Sequence, residues 1–171
     1  MLEGVALDPE PAPAGEPVTI ATVYDGADLD EVARLAGGSV DDIVKLHTGA
    51  VYTVELLGFL PGFAYLGPAP GPLALARRAS PRPVVPARSV AVAAGFTGVY
   101  PSATPGGWHL LGRAPGFVPF SLDDGRPALT PGASVRFVAL DPDDEVDQPD
   151  PDEGGDHAAE AVDGEVSAED A

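Results

Sequence analysis

Apolar and polar positions change period several times along this chain. Val18–Tyr24 (VTIATVY) is β-branched and aromatic and reads as a strand. Asp25-Gly26 follows as a turn. Asp28 or Asp30 is then placed to cap a short helix, DEVARLA, with Val32, Leu35 and Ala36 on one face and Gly37-Gly38 as its stop. Ser39 with Asp42 three residues on is a capping-box start for SVDDIVKLH, in which Val40, Ile43, Val44 and His47 share one stripe at helical spacing. AVYTVELLGF alternates as a strand, and SVAVA (Ser89–Ala93), WHLL (Trp108–Leu111) and SVRFVAL (Ser134–Leu140) add three more. Gly95–Gly98, Pro101–Gly107 and Asp123-Asp124-Gly125 read as turns. Two short helices near the N-terminal side, followed by many short strands and tight turns, predict a mainly β barrel.

Composition sharpens this picture. The 171 residues include 20 Pro and 21 Gly, which argues against a helix bundle, and 44% hydrophobic residues, enough for a core. There is no cysteine, so thiolate nucleophiles, disulfides and Cys-zinc sites are excluded. No run of eighteen apolar residues predicts a membrane helix. The acidic N-terminus lacks the basic and apolar regions of a secretory signal, so a cytoplasmic location is expected. The net charge of −18 is uneven: fourteen of the 27 acids lie from Asp141 onward, leaving thirteen acids against nine bases before it. Nucleic acid is not an expected partner of so acidic a chain. Residues 1–17, with four prolines, are expected to be a disordered leader, 18–140 a folded domain, and 141–171 a disordered acidic tail.

Candidate chemistry concentrates between Gly58 and Gly116. That stretch holds the only Trp and five of the nine basic residues: Arg77, Arg78, Arg82, Arg88 and Arg113. Glycines and prolines stand directly beside large aromatics, which is the pattern of ordered, sharply bent loops rather than of a linker. Gly58–Tyr65 and Thr97–Trp108 are expected to lie side by side and line one concave site. Phe59, Pro61, Tyr65, Tyr100 and Trp108 would form its apolar walls. Gly62, Thr97, Gly98, Gly106 and Gly107 would supply close backbone approach and polar contacts. Arg82, between two prolines, is the candidate for recognising a ligand carboxylate, against the plainer reading of a surface arginine paired with the acidic body. His47 is a candidate for proton transfer or, alternatively, a packed residue at a helix end; His109 is a candidate contributor to a shared site or a structural strand residue. No nucleophile stands with a motif-placed base, no phosphate loop is present, and no metal site is expected.

GFLPGFAYL, followed by PRPVVPARSVAVAAGFTGVYPSATPGGWHLLGR, resembles the carboxyltransferase-domain family known as allophanate hydrolase subunit 1. That family includes the B-type component of 5-oxoprolinase, KipI-type inhibitors of sporulation kinases and part of urea carboxylase. The resemblance runs from about Val18 to Leu140. It implies a cyclophilin-like β-barrel, without implying prolyl isomerase activity. It implies a B-type component of an ATP-dependent amide hydrolase that converts 5-oxoproline to glutamate. That component would work with a C-type carboxyltransferase-domain subunit and an A-type subunit on a small acidic or amide substrate, with ATP engaged through the assembled complex. The alternatives it leaves open are a KipI-like histidine-kinase inhibitor and a urea carboxylase or allophanate hydrolase component. Relatives carry a sizeable N-terminal domain that this chain is expected to lack. Where relatives read VPAGSVGIAGxQTGIYP, this sequence has Arg88, Ala91 and Phe96 at three of the positions, which changes the polarity of the expected site.

Overall fold

The structure is a computed structural model that describes residues 16–141. The expected leader and tail lie outside these residues, apart from their inner ends. Among the described residues, nine strands and two α-helices follow one another as β1 (Val18–Thr22), α1 (Leu29–Ala36), α2 (Val40–Gly49), β2 (Tyr52–Leu57), β3 (Ala64–Gly67), β4 (Arg82–Val85), β5 (Ser89–Ala93), β6 (Phe96–Val99), β7 (Thr104–Gly106), β8 (His109–Arg113) and β9 (Ser134–Ala139). Seven strands form one sheet in the order β1-β9-β2-β3-β6-β5-β8, and β4 pairs with β7 as a separate two-stranded arm. The two ends of the sheet meet: the Val23 N–H donates to the Arg113 carbonyl at 2.8 Å and the Arg113 N–H to the Val23 carbonyl at 2.9 Å. The mainly β barrel with two short helices is therefore present as a nearly closed sheet.

The helices form as their boundaries dictate. In α2 the Ser39 hydroxyl accepts the Asp42 N–H at 3.2 Å and the Asp42 carboxylate accepts the Ser39 N–H at 2.9 Å, so two of the unpaired donors of the first turn are satisfied. Gly37 ends α1 with φ +76°, a left-handed conformation open to glycine at no steric cost. The buried face of α1 is Leu29, Val32 and Ala33, whereas Leu35, expected to face inward, is exposed. Leu29 precedes the segment from which the helix was expected to start, and its inclusion turns the inward face by about one position. With Ile43 of α2, these side chains pack on Leu73, Val92 and Leu111. A second apolar cluster, built on Ile20, Tyr52, Leu66 and Phe137, fills the barrel.

Three expected loops are strands. Phe96–Val99 pairs with β5 from Ala93↔Phe96 to Val90↔Val99, and the reversal lies one step earlier, at Ala94-Gly95. Both of those residues have positive φ, as a two-residue hairpin of the I′ type requires. Ala64–Gly67 is a strand inside the first aromatic motif, paired with β2 and β6. Thr104–Gly106, read as part of a turn, pairs with Arg82–Val85. Local glycine and proline content favoured loops at these places, and long-range pairing overrides it.

The seam of the barrel depends on a residue with no side chain. A Cβ on Gly112 would overlap the Val23 carbonyl, one partner of the closing bridge. Gly112→Ala is therefore expected to destabilise the fold by about 2–4 kcal/mol, the range of a substitution that forces backbone apart. Gly49→Ala, at a helix end with open space around it, should leave stability unchanged or slightly raised. Urea unfolding of both variants checks this, and equal midpoints for the two would contradict it.

Candidate functional site

Pairing of β3 with β6 at Leu66↔Thr97 brings the two aromatic motifs together, as expected. Phe63 is the hub of their contact. Its ring centroid lies 5.6 Å from Phe59, 5.1 Å from Tyr65, 5.3 Å from Tyr100 and 5.4 Å from Trp108, each edge to face. Of the residues expected from the sequence to be pocket walls, Phe59, Tyr65, Tyr100 and Trp108 thus pack into this cluster. Phe63, Tyr100 and Trp108 are buried, Tyr65 is partly covered, and Phe59 alone among them stands well out, 59% exposed. Thr97 and Gly98 are also buried, within β6. Gly106 does admit a close approach, but what approaches is the Tyr100 phenol, and the Gly107 carbonyl accepts the Arg78 N–H at 2.8 Å.

Two grooves adjoin this cluster at the Gly58–Gly62 loop. One groove of about 430 Å³ runs along Phe59, Pro61 and Gly62 to Phe120. A neighbouring groove of about 520 Å³ continues from Pro61 between Arg88, Pro101 and Val118 to Asp123. Three of the residues expected to bind a ligand, Phe59, Pro61 and Gly62, line these grooves. Tyr65, Thr97, Gly98, Tyr100, Gly106, Gly107 and Trp108 line neither. Phe59 holds a left-handed backbone conformation, φ +72°, at the tip of the loop. Such strain in a non-glycine residue is kept only where surrounding structure enforces it.

Arg82 already holds a carboxylate, and it is one from this chain. Its two terminal nitrogens donate to Asp28 at 2.7 and 2.6 Å as a bidentate fork, and Arg78 donates to the same Asp28 and, at 3.3 Å, to Glu31. Asp28 also accepts the Leu110 N–H at 2.8 Å. Burial alone would raise its pKa. The hydrogen bonds from Arg82 and Leu110, with the charges of Arg82 and Arg78, outweigh burial and hold the carboxyl below the ordinary range. Asp28 stands at the N-terminus of α1, the position read as a helix cap, yet its side chain makes no capping bond. The sequence carried no signal for this role, because Arg82 is 54 positions away.

His47 is enclosed in the core. The Thr97 hydroxyl donates to the Ala91 carbonyl at 3.0 Å, so it accepts from His47 Nε2 at 2.8 Å. His47 Nδ1 is then the acceptor of the Tyr24 phenol at 2.7 Å. Desolvation pushes the imidazole pKa down to about 3, and the neutral ring packs 4.3 Å from Phe137, centroid to centroid. Burial likewise raises the phenol pKa of Tyr24 and Tyr52. Of the two sequence readings of His47, the geometry is that of the packed residue. His109 is buried on β8 with Nε2 donating to the Ala76 carbonyl at 3.0 Å, while its Nδ1 is enclosed without a partner. Among the described residues no group of His, Asp or Glu is arranged to hold a metal ion, and no helix is long and apolar enough to cross a membrane.

Residues 2–130 match the family model described as carboxyltransferase domain, subdomain C and D. This chain belongs to that family. It is similar to the B component of 5-oxoprolinase from Escherichia coli, 46% identical over 139 residues that cover 80% of this chain and 62% of the relative. It is also similar to the B component of 5-oxoprolinase from Bacillus subtilis, 43% identical over 67% of this chain and 48% of the relative. The chain thus spans between about half and two thirds of the length of these curated relatives. Among solved structures, a conserved uncharacterized protein from Pyrococcus horikoshii superposes with a TM-score of 0.70 at 40% identity, covering 75% of this chain and 61% of that one. The Kluyveromyces lactis urea amidolyase shares the fold alone, at a TM-score of 0.60 and 16% identity over 72% of this chain and 9% of that one.

The His47 network has a testable pH signature. Its folded pKa lies below the unfolded value of 6.5, so the native state favours the neutral ring. The associated stability is complete above about pH 6.5 and is lost as pH falls toward 3, at roughly 1.4 kcal/mol per pH unit. His47→Gln is expected to be less stable at pH 7 and to lack this slope. Urea unfolding of both proteins from pH 7 to pH 5 reads the difference, and parallel curves would contradict it.

Proposed function

We propose that this chain is the B-type component of an ATP-dependent 5-oxoprolinase, which opens the lactam of 5-oxoproline to give glutamate. The observation that carries this reading is the 46% identity to the corresponding Escherichia coli component across 80% of the chain. The expected partners are a C-type carboxyltransferase-domain subunit and an A-type subunit, with ATP engaged through the assembly and the complex working in the cytoplasm. The geometry supports a component that requires partners. His47 is sealed in the core, and the Arg82 fork is committed to Asp28. The exposed Phe59 and the adjoining grooves then form the face on which a small acidic or amide substrate and a partner would meet.

A second reading, a KipI-like inhibitor of a histidine kinase, draws on that same exposed apolar face. Phe59, Val118 and Leu122 are exposed apolar side chains on loops beside the grooves, as an interaction surface requires. Reconstitution separates the two. With 5-oxoproline and ATP, the chain alone should be inactive, and the mixture with C-type and A-type subunits should turn over. Phe59→Ala should lower that turnover at least about tenfold, the scale of a buried interface aromatic. Turnover by the chain alone would refute dependence on partners. An inactive complete mixture, together with tight binding to a histidine kinase, would favour the inhibitor.

A further inference from the structure

Among the described residues, three non-glycine residues hold positive φ: Phe59, Arg88 and Ala94. The hairpin accounts for Ala94. Arg88, at φ +64°, is held by three tethers: its N–H donates to the Tyr100 carbonyl at 2.7 Å, its carbonyl accepts the Ala114 N–H at 2.9 Å, and its Nη1 donates to the Pro115 carbonyl at 2.8 Å. The remaining guanidinium nitrogens have no partner within the described residues. This arrangement fixes a cation in the wall of the groove of about 520 Å³, between Pro61, Pro101, Val118 and Phe120. That volume lies within the roughly 300–1,000 Å³ usual for small-molecule sites. A guanidinium pinned on one side and surrounded by apolar walls offers its free edge to a planar anion, and a carboxylate matches that edge with two hydrogen bonds. Asp123 on the same groove is an exposed acceptor, placed for an N–H on the ligand that Arg88 would hold.

We propose that Arg88 and this groove form a binding site for a carboxylate of amino-acid size, with the acid on Arg88 and an N–H of the same ligand on Asp123. The site does not depend on the oxoprolinase assignment, because binding is read on this chain without partners. The probes are N-acetyl-L-alanine and its carboxamide, which differ only in the acid. Nuclear magnetic resonance titration of the full chain should give saturable binding of the acid with a dissociation constant of about 1–10 mM, the strength of one anchored ion pair in a small ligand. The carboxamide should bind at least about tenfold more weakly, a loss equal to one well-made charged hydrogen-bonded contact. Arg88→Gly should abolish acid binding while the melting temperature holds or rises, since glycine takes this backbone conformation without strain. Arg88→Gln, which keeps the side-chain length, should also lose binding, and Asp123→Asn should weaken it. Equal binding of acid and amide, wild-type affinity in Arg88→Gly or Arg88→Gln, or no saturable binding up to about 100 mM, far above the expected constant, would overturn the proposal.

Discussion

The carboxylate of Asp28 is the contact on which the rest of the structure depends. It is buried, yet four hydrogen bonds reach it from three separate parts of the chain: two from Arg82 on β4, one from Arg78 in the preceding connection, and one from the Leu110 amide on β8. A buried charge so fully paired is less a source of net stability than a constraint, because removing any partner strands the others in a low dielectric. What it constrains is position. The β4–β7 arm belongs to its own two-stranded sheet, and the Asp28–Arg82 fork is a polar link between that arm and the barrel. β7 in turn follows the Pro101–Ser102 turn, whose residues line the groove beside Arg88. The geometry of the candidate site therefore descends from a carboxylate that does not touch it.

A second polar network stiffens the core. Tyr24, His47, Thr97 and the Ala91 carbonyl form a directed chain of hydrogen bonds that ties the end of β1 to α2, β6 and β5. Each member has its partner, so the network specifies one arrangement of the core at little desolvation cost. The aromatic cluster around Phe63 supplies buried area and shape. The two grooves meet the edge of that cluster at Phe59 and Pro61.

Much of this architecture was legible in the chain. Local signals were strong where the physics is local. The Ser39–Asp42 capping box, the glycine stop at Gly37 and the apolar strand Ser89–Ala93 all form as their residues dictate. The adjacency of the two Gly/Pro/aromatic motifs was also legible, because both carry the same chemistry. The direction in which the aromatics face was not: Tyr100 and Trp108, expected as pocket walls, are buried in the core. Arg82 read as a carboxylate binder and is one, but its carboxylate is Asp28, which local spacing presents as a helix cap. Long-range pairs of this kind leave no periodic trace in a single sequence.

The most direct test of the central claim is a double-mutant cycle on Asp28→Asn and Arg82→Gln, read by urea unfolding at pH 7. If the fork clamps the arm to the barrel, each single change should cost about 3–5 kcal/mol and the double change far less than their sum, with a coupling of at least about 2 kcal/mol. Additive effects, with a coupling below about 0.5 kcal/mol, would contradict the account.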